Sequence, residues 1–186
     1  MKSIEIIGYK RANLGKKDSA DLRLDGNIPC VLYGGTDQVH FYSPMILFRE
    51  LLYTPNVYQV NLNIEGKEYK AVLKDSQFHP VNEMILHVDF LELNENKAVK
   101  LSVPLRFVGT ALGSTKGGKL LTKKYKLEIK ALPKDIPDYI DVDVTNLDLG
   151  KSVRVEDIKS DNYVILNKAT MPLASIEVPR ALRGKE

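Results

Sequence analysis

The sequence predicts a mainly β protein: an N-terminal small β-barrel with one or two short helices, followed by a C-terminal antiparallel β domain. Three observations lead there. Residues 57–74 alternate apolar and polar side chains on both sides of Glu65-Gly66, a β-hairpin by period and by turn chemistry. Helical patterning is confined to two short stretches of the first half. Beyond a polar break at Asn94-Glu95-Asn96-Lys97, nearly everything reads as strand.

Taken in chain order, a first strand is expected near residues 3–10. A short helix follows over about 18–25, ended by Gly26. Strands come next near 29–34 and 38–42. Ser43-Pro44 then reads as an N-cap with proline at the first helical position, placing Phe48, Leu51 and Leu52 on one face. In the hairpin, Tyr58, Val60, Leu62 and Ile64 share one face, with Gln59, Asn61 and Asn63 opposite. Its second strand, Lys67 to Lys74, puts Tyr69, Ala71 and Leu73 on one side. A strand over 85–93 closes the first domain, residues 1–94. The second domain, residues 98–186, holds an alternating strand with Leu127, Ile129 and Ala131 inward. Another carries Ile140, Val142 and Val144, and shorter strands lie near 153–155, 163–166 and 171–178. Pro104, Pro133, Pro137, Pro172 and Pro179 suit edges, bulges or strand ends.

Composition narrows the class. The 186 residues suffice for one large domain or two small ones, and 44% apolar content is ordinary for a globular chain. No apolar run approaches the roughly 20 residues that span a bilayer. Met1-Lys2-Ser3-Ile4-Glu5 sets a charge inside the first apolar stretch with no small-residue cleavage site, which argues against a signal peptide. Cys30 is the sole cysteine, so no internal disulfide or cysteine zinc cage forms, and a cytoplasmic protein is the simplest reading. Net charge is +3. Residues 1–94 hold ten Lys/Arg against twelve Asp/Glu, while the remainder holds seventeen against twelve. Any nucleic-acid contact in the first half must therefore come from local arrangement rather than bulk charge.

Four constellations carry chemical interest. On the strand from Ile85 to Leu93, Leu86, Val88 and Phe90 should face the core, with His87 and Asp89 together on the opposite face. A histidine beside a carboxylate serves a metal, acid–base chemistry or a polar partner, or is a solvated face. The metal reading has only His79 as a third ligand, and catalysis lacks a visible nucleophile or pocket. The stretch Lys10 to Lys17 gathers four cations around Gly15, fit for phosphates or for a solvated loop. Lys116 to Lys126 holds five lysines, a flexible Gly117-Gly118 and no acid. It lacks P-loop spacing and reads as a basic loop touching RNA or an acidic partner, or as plain exposed loop. Asp135, Asp138, Asp141, Asp143 and Asp148 sit in strand-like surroundings without a pocket, which speaks against paired-carboxylate hydrolysis.

Read in order, these fragments form one pattern. It runs through Gly15-Lys16, Leu22-Arg23, Gly26-Asn27-Ile28-Pro29-Cys30-Val31-Leu32-Tyr33-Gly34, Gln77-Phe78-His79-Pro80 and Leu86-His87-Val88-Asp89-Phe90. Further on come Val103-Pro104-Leu105, the Gly117-Gly118 loop, Leu132-Pro133 with Ile136-Pro137, Asp141-Val142-Asp143-Val144 and Leu147-Asp148-Leu149-Gly150. The pattern resembles the bacterial large-subunit ribosomal proteins numbered twenty-five, in their long two-domain form (the general stress protein CTC type), over almost the whole chain. The resemblance implies a cytoplasmic, ribosome-associated, non-enzymatic protein whose N-terminal barrel binds 5S ribosomal RNA along a loop-E-type internal loop. Its contacts would be to the minor groove and backbone. The partners implied are 5S rRNA, the large ribosomal subunit and neighbouring ribosomal proteins. No cofactor, metal, membrane or small-molecule substrate is implied.

Carried over by position, the expected RNA contacts are Arg11, Lys16, Ser19, Arg23, Tyr33, Gln77, His87 and Asp89. Arg11, Lys16 and Arg23 would meet phosphates; Tyr33, Gln77, His87 and Asp89 would read the groove. Lys116, Lys119, Lys123 and Lys124 are candidates for a secondary contact to RNA or a partner. Ala20, Asp21 and Leu24 stand where the family commonly has arginine, which should weaken affinity and its salt dependence. An alternative is therefore a stress-related protein of the same fold with a weakened RNA site, acting through its basic C-terminal domain. A metal-assisted hydrolase built on His79, His87 and Asp89 is the third reading.

Overall fold

The computed structural model describes residues 2–159 and 162–179; the end of the second domain, residues 180–186, lies outside the described residues. The chain divides into two compact units, Met1–Val99 and Lys100–Glu186.

The first unit is built from β1 (Lys2–Lys10), α1 (Lys16–Leu24), β2 (Asn27–Tyr33), β3 (Val39–Pro44), α2 (Arg49–Leu52), β4 (Tyr58–Ile64), β5 (Lys67–Phe78) and β6 (Ile85–Glu92). The six strands close a barrel in the order β1-β3-β2-β6-β5-β4. Two seams are parallel: β1 with β4, running from Lys2↔Tyr58 to Gly8↔Ile64, and β2 with β6, through Cys30↔Val88 and Val31↔Asp89. The remaining pairs are antiparallel. Closure removes every free sheet edge.

Alternation fills the interior. Ile6, Leu32, Phe41, Phe48, Val60, Leu62, Ile64, Val88 and Phe90 are fully buried, each side chain stabilising the fold by about 1.5–3 kcal/mol. The Phe90 ring lies 5.9 Å from Phe41 and 6.3 Å from Phe48. Gly8 lets β1 cross that cluster, since a Cβ there would stand 2.5 Å from the Phe41 ring. The Glu65-Gly66 turn has both residues in the left-handed region, φ 50° and 87°, the geometry that matches hairpin twist. One helix start needs correction. Ser43 and Pro44 belong to β3, and a 3₁₀ turn, Met45–Phe48, precedes α2. The buried Ser43 hydroxyl donates to the Ile7 carbonyl at 2.8 Å, so it is spent on the barrel rather than on a helix cap.

The second unit contains β7 (Val99–Val108), α3 (Leu112–Thr115), β8 (Lys119–Thr122), β9 (Lys126–Ala131), β10 (Ile140–Asp143), β11 (Ser152–Arg154), β12 (Val164–Ile165) and β13 (Pro172–Glu177). They form a four-stranded sheet, β10-β7-β9-β12, and a three-stranded sheet, β11-β13-β8. The expected antiparallel pairing holds for β12/β9, β11/β13 and β13/β8, whereas β7 and β10 pair in parallel. Val103, Leu127, Ile129, Leu173 and Ile176 are buried at the core. The Lys116–Lys126 stretch is not the open, flexible loop expected. Residues 119–122 are strand, and a Cβ at Gly118 would meet Ile176 at 2.4 Å and Leu149 at 2.6 Å. Gly118 is there for close packing.

Candidate nucleic-acid interface

Strand register decides which side chains emerge together on the barrel exterior. On β6, Val88 and Phe90 point inward, so His87 and Asp89 point outward. On β2, Ile28, Cys30 and Leu32 are core, which turns Pro29, Val31 and Tyr33 outward. On β5 the regular pattern would continue from Ala71 and Leu73 and bury Asp75 and Gln77. It does not, because Lys74 is an extra residue: Leu73 pairs Phe90, then Asp75 pairs Asp89 and Gln77 pairs His87. This β-bulge resets the alternation and brings Asp75 and Gln77 to the outer face. The result is a row Asp75–Asp89–Val31–His40 across four strands, with Gln77–His87 beside it.

Pro29 and Val31 face outward yet are buried, because α1 packs on β2. Asp18, Ser19, Leu22 and Arg23 form the partly buried side of α1. Arg11 fastens that helix. Its Nη2 donates to Asp18 Oδ2 at 2.7 Å and to Ser19 Oγ at 3.0 Å, and its side chain is only 7% exposed. Ser19 Oγ in turn donates to the Gly15 carbonyl at 2.8 Å. At the other end, Arg23 Nε donates to the Leu86 carbonyl at 2.9 Å, tying α1 to β6. Lys16 opens α1 on its exposed side. Exposed too are Ala20, Asp21 and Leu24.

Within the outer row, His87 Nδ1–H donates to Asp89 Oδ1 at 2.7 Å. An ionised carboxylate only accepts, so this bond assigns the Nδ1 proton and leaves His87 Nε2 and Asp89 Oδ2 open to a partner. Burial pushes the Tyr33 hydroxyl's pKa up, and the charges of Asp89 and Asp75 push it further. Tyr33 is thus held as a neutral donor beside two carboxylates. Tyr33, Gln77, His87 and Asp89 meet on β2, β5 and β6, and Arg11, Ser19 and Arg23 hold the helix beside them. Asp75 escaped the sequence reading. Its only signal was the break in alternation after Leu73, visible once the register is known.

The basic stretch of the second unit is less free than its composition suggests. Lys116 Nζ bonds both oxygens of Asp148, at 2.9 and 3.0 Å, and holds that carboxyl below the usual range. Lys119 lies across from Glu177. The Lys123 and Lys124 amides both donate to the Leu173 carbonyl, and both side chains are exposed. His79 Nδ1 accepts weakly from the Val81 and Asn82 amides, at 3.3 and 3.4 Å, and so is turned to its own loop. Among the described residues no three His, Cys, Asp or Glu side chains are grouped to hold a metal ion, and no helix is long and apolar enough to cross a membrane.

The sequence matches known families over most of its length. A profile described as the Ribosomal L25p family matches residues 6–90, and one described as Ribosomal protein TL5, C-terminal domain, matches residues 98–180. The large ribosomal subunit protein bL25 of Cytophaga hutchinsonii is 56% identical over 186 residues, covering 100% of this chain and 97% of that one. The chain belongs to the bL25 family. The bL25 protein of Amoebophilus asiaticus is 54% identical over 99% of this chain and 94% of its own. That of Phocaeicola vulgatus is 43% identical over 99% and 96%. As a two-domain bL25 protein the chain is a structural component of the large ribosomal subunit and not an enzyme.

Proposed function

We propose that this bL25 protein binds 5S rRNA through the barrel face formed by β2, β5, β6 and α1, within residues 1–94, and that the second domain, residues 98–186, makes a subsidiary contact. The observation that supports this reading best is the convergence of Tyr33, Gln77, His87 and Asp89 on three neighbouring strands. A-form RNA displays 2′-hydroxyls and base edges in a wide, shallow minor groove, which suits short polar side chains on a sheet face. Tyr33 donates, Asp89 and the open His87 Nε2 accept, and Gln77 supplies either role. Lys16 and the free end of Arg23 reach phosphates. Arg11 acts one step back, by holding Asp18 and Ser19 so that α1 lies in place.

With few cations on this face, affinity should depend only weakly on salt, with a slope reflecting two or three phosphates. The test is titration of the intact chain against a 5S rRNA fragment containing loop E, across a salt series. His87→Ala and Arg23→Ala should each weaken binding by about tenfold. His87→Ala should leave the salt slope unchanged, and Arg23→Ala should reduce it by about one ion. Full-strength binding by both variants would remove the assignment of this face. Lys123→Ala with Lys124→Ala examines the subsidiary contact, for which a smaller loss is expected.

A further inference from the structure

Asp75 is explained neither by the fold nor by phosphate binding. It lies directly opposite Asp89 across the β5/β6 pair, and like charges so placed destabilise a sheet. Asp89 accepts from His87 at 2.7 Å, while Asp75 faces it from the neighbouring strand. An RNA backbone would add a further negative charge. Yet the bulge at Lys74 delivers Asp75 to this face, and its own geometry fixes it there. Asp75 Oδ1 accepts the Ser76 amide at 2.8 Å, which leaves Oδ2 unused on an exposed residue. Local rules are broken where a function requires it.

Resting on the RNA-binding reading above, we propose that Asp75 is a specificity residue. It accepts hydrogen bonds from minor-groove donors, the guanine 2-amino group or a ribose 2′-hydroxyl, and repels duplexes that offer only phosphate at that position. A carboxylate suits this role because it is acceptor-only: paired with a donor it adds a charge-assisted bond, and facing a phosphate it opposes binding. Asp75 and Asp89 together then act as a filter on a face that has few cations for gripping any RNA it meets.

The test uses Asp75→Asn in the intact chain. Asparagine keeps the oxygen that accepts the Ser76 amide and removes the charge, and relief of the Asp75–Asp89 repulsion should leave the melting temperature unchanged or raised. The readout is the ratio of affinities for the 5S rRNA loop-E fragment and for an unrelated A-form duplex of equal length, at one salt concentration. The variant should lower this ratio about tenfold, with the unrelated duplex bound no more weakly than by the wild type. Fragments with inosine for guanosine, or with single 2′-deoxy substitutions, identify the donor: the responsible one weakens wild-type binding and not that of the variant. An unchanged ratio in Asp75→Asn, while His87→Ala still loses fragment binding, would overturn this inference and leave the RNA-binding reading standing. Absence of any preference in the wild type would remove both.

Discussion

The two units of this protein handle their charges in opposite ways. In the second unit, acids lie beside partners on the surface. Arg106 bonds both oxygens of Asp141 and stacks 3.6 Å over the Tyr139 ring, Thr145 caps Asp143, and Lys116 holds Asp148. In the barrel, Asp75 and Asp89 are set directly opposite each other on neighbouring strands, and Arg11 is drawn nearly out of solvent to fix a helix. A unit whose open sheets must be stabilised spends its charges on itself. A closed barrel, with its edges joined and its core sealed, leaves polar groups on one face uncompensated for a partner.

That contrast can be broken most forcefully at the barrel core. Phe90→Ala should destabilise the first unit by about 3–5 kcal/mol in urea denaturation and abolish RNA binding together with the fold. Leu127→Ala should cost the second unit about 2–5 kcal/mol, and if the barrel carries recognition, most of the RNA affinity survives. Equal loss of binding in both variants would mean that recognition is shared. Arg11→Ala comes next. It leaves Asp18 and Ser19 without their donor and should cost about 1.5–3 kcal/mol, read as hydrogen exchange concentrated in α1.

Acid sharpens the comparison from the other side. Asp141, held by Arg106, Asp143, held by Thr145, and Asp148, held by Lys116, all have pKa values below the ordinary 3.8. Their contribution to stability is therefore complete above about pH 3.8 and is lost as pH falls through their lowered folded values. Amide signals of the second unit should lose protection in that window, with the same resonances stable near neutrality. The smallest effect belongs to Lys116→Ala. This solvent-screened pair should leave the melting temperature nearly unchanged, and RNA affinity likewise, as checked by melting and titration.

Most of the strands were legible because apolar and polar residues alternate and because Glu65-Gly66 declares its turn. The outward placement of His87 and Asp89 followed from Leu86, Val88 and Phe90 by parity alone, although Leu86 itself shares the half-buried rim. Gln77 was found through family likeness, against the parity of Tyr69, Ala71 and Leu73. The extra residue at Lys74 that reconciles the two is a property of pairing, invisible in one strand taken alone. Ser43 misled for a similar reason. A serine before a proline matches a helix start, and nothing local reveals that the Ile7 carbonyl, far away in sequence, claims its hydroxyl. The charge count at Lys116–Lys126 overstated freedom because Asp148 and Glu177 come from elsewhere in the chain.

The two parallel seams of the barrel also set a schedule. β1 must wait for β4 to be made before it has its long partner, and β2 can join β6 only when the chain has been synthesised to about residue 90. At about 5–20 residues per second, the earliest strands spend several seconds unpaired at those seams. The β2/β6 seam carries Tyr33, His87 and Asp89, so the surface proposed to meet RNA is the last part of the barrel to be assembled. A nascent or truncated chain lacking β6 has no partial version of that surface. Assembly competence would therefore arrive in a single step, when the barrel closes.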